Sequence, residues 1–129
     1  MRRTGVALLA LAMAGVAYAN IDLSDFDDDV MRSMDDAVKA FEPNVAAKNG
    51  VRALDDAAVL REGFVWTEQY FVAKGGADDA VQISQQGTAL IDKAIKALQA
   101  KDFEAAATHA RAAAKTCRSC HDLYKPLTK

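Results

Sequence analysis

The sequence predicts an all-α protein, an antiparallel four-helix bundle, and three observations carry that expectation. Alanine is abundant while the chain of 129 residues holds only 7 glycines and 2 prolines, which favours helix. No stretch alternates apolar and polar residues with period two, so no strands are expected. Four segments instead repeat apolar residues at spacings of three and four, with short breaks between them.

The first helix is expected from about Leu23 to Phe41, capped by Ser24 or Asp25 and ended by Pro43. Asp27, Asp28 and Asp29 suit the positive end of its dipole. Its stripe is Leu23, Phe26, Val30, Met34, Ala37 and Phe41, flanked by Met31 and Val38. The second runs from about Val51 to Ala73, with Val51, Leu54, Ala58, Phe64, Val65, Phe71 and Val72 as core, and stops at Gly75-Gly76. The third spans about Asp78 to Ala100 on Ile83, Gly87, Leu90, Ala94 and Leu98, with Ile91 and Ile95 beside them. The fourth follows Asp102, a suitable N-cap, to about Tyr124, and Pro126 closes it. Phe103, Ala106, Ala110, Ala113, Cys117, Cys120 and Tyr124 form its unbroken seam. The middle of that seam is small: it leaves room for a group that is not a side chain, or lets two helices approach closely.

Residues 1–19 have the grammar of a secretory signal peptide: Arg2 and Arg3, an apolar run from Val6 to Ala14, and a small-x-small site at Ala17-Tyr18-Ala19. Cleavage there starts the mature domain, residues 20–129, at Asn20. The mature chain then has 14 Lys and Arg against 18 Asp and Glu, a poor balance for nucleic acid. No further apolar run is long enough to span a bilayer.

The chemistry concentrates at Cys117-Arg118-Ser119-Cys120-His121. C-x-x-C-H is the attachment sequence of c-type haem. Each thiol adds to one porphyrin vinyl group, and positions i, i+3 and i+4 of a helix share one face, which brings an imidazole under the iron. A Cys117–Cys120 disulfide of the thioredoxin type belongs at the start of a helix after a strand, and this motif ends a helix. A structural zinc site wants four ligands, and His109 is the only other histidine.

A four-helix chain with its haem motif in the C-terminal helix resembles the class II c-type cytochromes, the cytochromes c prime and their low-spin relatives. The resemblance covers the mature chain and is specific at Cys117 to Lys125, where Cys-Arg-x-Cys-His-x-x-Tyr-Lys stands for the family's Cys-Lys-x-Cys-His-x-x-Tyr-Arg. It implies a periplasmic protein with one covalent haem c, bound through Cys117 and Cys120 with His121 as proximal iron ligand. An electron carrier rather than an enzyme is expected, working with redox partner proteins as a monomer or homodimer. The family also contains five-coordinate members that bind a small gas such as nitric oxide, so the other side of the iron decides between two functions.

His109 lies twelve residues before His121 on the same helix, roughly 18 Å away, and cannot reach the opposite face of the ring. A lysine would have to surrender its proton. Met31 and Met34 are the only methionines beyond residue 19. Met34, in mid-stripe, reads as core. Val30-Met31-Arg32 resembles the Leu-Met-Lys segment that carries the methionine ligand in low-spin class II cytochromes, and also the first helix of the four-helix b-type cytochrome. The Arg-Gln pair of high-spin cytochromes c prime is replaced by Asp27 to Asp29. The resemblance therefore implies Met31 as the second axial ligand. Trp66, Tyr70 and Phe71 read as core aromatics, Tyr124 as a neighbour of the ring. Arg111, Lys115, Arg118 and Lys125 read as a basic, solvated flank at the helix C-terminus.

Overall fold

The computed structural model describes residues 21–124, so the expected signal peptide, Lys125 and Pro126 lie outside the described residues. Four helices are present and, among the described residues, no strand: α1 (Asp28–Ala46), α2 (Gly50–Lys74), α3 (Asp78–Gln99) and α4 (Phe103–Leu123). Among the described residues no helix is long and apolar enough to cross a membrane.

Helix α1 starts later and ends later than its sequence implies. Asp27 is the cap, its carboxylate accepting the Asp29 N–H at 2.9 Å. The residues before it are used otherwise. Ser24 N–H donates to the Asp22 carboxylate at 2.9 Å and Phe26 N–H to the Leu23 carbonyl at 3.0 Å, which turns the chain. Asp25 then accepts from Tyr70 Oη at 2.6 Å and pairs with Lys74 Nζ at 2.8 Å. At the other end the helix runs through Pro43. A proline inside a helix costs about 3 kcal/mol. Val45, two residues on, is buried, which returns about 1.5–3 kcal/mol. Asn44 adds a hydrogen bond to the Asp56 carboxylate of α2 at 2.7 Å. Tertiary packing thus offsets the local stop signal.

Helix α2 ends where expected. Gly75 has φ +72°, a left-handed conformation that glycine adopts without a Cβ penalty, and its N–H reaches the Phe71 carbonyl at 3.0 Å. Its buried face differs from the expected one. Ala53, Ala57, Leu60, Gly63, Phe64, Thr67 and Phe71 are buried, whereas Val51 and Val72 are 74% and 61% exposed. Helices α3 and α4 begin at the expected places, and the Asp102 carboxylate caps α4 by accepting the Ala105 N–H at 3.0 Å.

Each helix packs on two others. Helix α1 meets α2 and α4, and α3 meets α2 and α4; the α1–α4 seam is the thinnest. Phe26, just before α1, touches Trp66 and Tyr70 late in α2, while Asn44 late in α1 bonds Asp56 early in α2. Arg61–Asp92 at 2.7 Å and Arg111–Glu42 at 3.0 Å tie α2 to α3 and α4 to α1 across the surface. Exposed pairs of this kind contribute little to stability. The main core joins Met34, Phe41, Leu60, Phe64, Ile91 and Leu98 with alanines of all four helices. Phe41 is 1% exposed, so Phe41→Ala is expected to destabilise the fold by about 3–5 kcal/mol, read from a denaturant titration.

A second cluster closes the end where α2 and α4 finish. Phe71, Ala77 and Ala80 pack there with Ile21, Leu23, Phe26, Tyr124 and Cys120. Trp66 and Tyr70 stack at 5.5 Å, and Phe26 stands edge-on to both. The aromatics of α2 are therefore anchored to the lead-in before α1.

Candidate functional site

Cys117, Cys120 and His121 stand on one face of α4, as their spacing requires, and all three are half-buried. With Ala114 and Thr116 they form one wall of a cavity of about 110 Å³. Met31, Met34, Asp35 and Val38 of α1 form the facing wall; Phe64 and Thr67 of α2 and Ile83 and Ser84 of α3 complete the lining. The cavity thus spans the thin α1–α4 seam, where the fewest packed side chains must part to admit a ligand.

The lining is mostly apolar, and its hydroxyls are turned onto the backbone. Thr67 donates to the Gly63 carbonyl at 2.7 Å, Ser84 to Ala80 at 2.8 Å and Thr116 to Ala113 at 2.6 Å. These bonds along each helix satisfy the groups without a ligand. Among the described residues no buried side-chain nitrogen or oxygen lacks a partner.

Both cysteines carry free thiols. Burial pushes the Cys117 thiol up, and burial together with the neighbouring Cys117 pushes Cys120 to about 11. Both are neutral near pH 7, the opposite of the low-pKa thiolate that disulfide exchange needs. Among the described residues no three His, Cys, Asp or Glu side chains converge as a metal site. A closed zinc centre therefore lacks its further donors.

The donor set suits a haem. Two thiols and an imidazole share a face, and two methionines line the same cavity. The space does not yet match: enclosing a drug-sized ligand takes about 300–1,000 Å³, so a porphyrin requires α1 to stand further from α4. The seam that would widen is the least packed of the four.

The residues singled out from the sequence separate clearly. Met31 and His121 line the same cavity. Met34 lines it too but is 5% exposed and packs against Gly63 of α2. His109 and Tyr124 are not among its lining residues. Tyr124 instead packs on Phe71 at 5.1 Å and donates to the Asp79 carboxylate. Arg111 of the basic flank is paired with Glu42, while Lys115 and Arg118 are exposed. Sequence reading missed Phe64, Thr67, Ile83, Ser84, Thr116 and Asp35 as lining. Asp35 and Val38 follow Met31 at four and seven residues, so the α1 wall was legible from helical spacing. No family model, curated protein or solved structure matches the chain.

Proposed function

We propose that this chain is a periplasmic monohaem c-type cytochrome of the class II kind that carries single electrons and turns over no substrate. In this reading the four helices form an antiparallel bundle with one haem c between α1 and α4. The observation that carries it is Cys-x-x-Cys-His on one helix face, lining a cavity shared with methionine sulfur.

Haem supplies an iron that accepts and releases one electron. The chain's residues do the rest. Cys117 and Cys120 would hold the group covalently, each thiol adding across a vinyl group so that sulfur takes one carbon and the hydrogen the other. The helix fixes their separation, so the ring is held in one orientation. His121 would present a ring nitrogen to the iron from the same helix. Met31 would supply a thioether, which favours the ferrous state relative to a second imidazole. Phe64, Ile83 and Val38 exclude water, which disfavours extra charge at the centre. Redox partner proteins exchange the electron, and neither nucleic acid nor a membrane span enters the mature chain's work.

The test is covalency. Haem is expected to stay with the polypeptide through acid-acetone extraction and denaturing electrophoresis, with an intact mass equal to the chain from Asn20 plus one haem. An exported chain with no added mass, or with a Cys117–Cys120 disulfide, refutes the reading.

A further inference from the structure

We propose that Gly63 is a positioning residue that decides which cavity methionine reaches the iron, by holding the Met34 side chain in a notch on α2; this rests on the haem reading above. Met31 and Met34 are one helical turn apart and both line the cavity. Their thioethers are chemically the same, so only placement can distinguish them. Gly63 is buried, and a Cβ built on it would overlap Met34 Cγ and Sδ, with Cε at 3.1 Å. Its backbone is not in the left-handed region, where only Gly75 and Gly76 lie among the described glycines. Glycine weakens a helix interior relative to alanine, so the backbone gains nothing from it here. What Gly63 provides is the space that Met34 fills.

The same arrangement recurs one helix further on. A Cβ on Gly87 of α3 would overlap the ring of Phe64, which lines the cavity. Two notches thus draw back two large side chains from the space between α1 and α4. Met31 has no such notch and stays half-buried at the cavity.

Filling the Gly63 notch leaves Met34 two destinations. One is an open groove that Met34 also lines, bordered by Asp27, Asp29 and Glu62. The other is the apolar cavity. Apolar surface is favoured away from water, and Met31→Ala leaves its cavity neighbours short of contacts that the Met34 thioether restores. The cavity therefore receives the displaced thioether, opposite His121.

The experiment uses the haem-loaded protein, its absorption spectrum, carbon monoxide binding and methyl NMR of methionine-labelled ferrous samples. Met31→Ala alone is expected to be high-spin and to gain carbon monoxide affinity, because Met34 is held back. Met31→Ala with Gly63→Ala is expected to regain a low-spin, sulfur-ligated spectrum and lose that gained affinity. A Met31→Ala protein already ligated by sulfur overturns the proposal, and this arm needs no change at Gly63. A double variant that stays high-spin also overturns it, since Met34 has then gone to the groove. Failure of the haem reading is separate: the wild type is then haem-free, whereas a haem-loaded wild type that is high-spin overturns the proposal, because neither methionine then reaches the iron. The notch is still tested by Gly63→Ala, which must shift the Met34 methyl resonance; an unmoved resonance ends the proposal.

Discussion

Cys117→Ala combined with Cys120→Ala is expected to give a colourless protein that folds but melts early. Without thiols no thioether forms, so the added mass of one haem disappears. The helices still pack on the core around Phe41, Leu60 and Ile91, residues that do not line the cavity. What remains is an unfilled cavity of about 110 Å³. At about 24 cal/mol per Å³ a closed void of that size costs roughly 2.6 kcal/mol, an upper bound for a cavity that is partly open to solvent. That is a large share of the 5–15 kcal/mol of a typical domain. Circular dichroism melts of parent and variant, with mass spectra of both, check the prediction. A haem-free variant that melts with the parent would show that the ring is no part of the core.

Met31→Ala is expected to change the iron while leaving the fold nearly intact. Met31 is half-buried at the cavity, so its truncation removes little packing. It does remove the proposed sulfur ligand, and the ferric spectrum is expected to lose its weak far-red sulfur band, turn high-spin and bind carbon monoxide after reduction. Met34→Ala is the contrasting case. Its side chain is buried against Gly63, so truncation is expected to cost about 2–5 kcal/mol and to leave the band in place. The reverse pattern would move the ligand to Met34. A wild-type spectrum that is already high-spin would favour the gas-binding alternative, with Met31 as a wall of an open distal pocket.

What could be read from the sequence divides by the range of the cause. The C-x-x-C-H face and the cap at Asp102 are local, and both stand where spacing put them. The stop at Gly75 is local too. Pro43 was misleading because its penalty is local while the compensation from Val45 and Asn44 comes through neighbouring helices. The start of α1 was misplaced for the same reason, since Asp25 and Phe26 answer to Tyr70, Lys74 and Trp66. The face of α2 was misjudged because its apolar residues surround the helix. Its buried face includes Gly63 and Thr67, which carry no hydrophobic signal. The α2 wall of the cavity depends on which face of that helix is buried. Met31 and His121 do not, because the spacing of their own helices decides which way they face.

The thin α1–α4 seam also has a kinetic meaning. The seams α1–α2, α2–α3 and α3–α4 each join neighbours in the chain, so their contacts are of low order and form quickly. The α1–α4 seam closes a loop through the whole described chain, which carries the largest closure entropy and yields the fewest contacts in return. It is therefore the last to zip and the first to breathe. Hydrogen exchange should follow that order: amides of α2 and α3 at Leu60 and Ile91 outlast those flanking Met31 and Cys117. The chemistry proposed for Cys117 and Cys120 would thus fall on the one joint that topology leaves slow to shut.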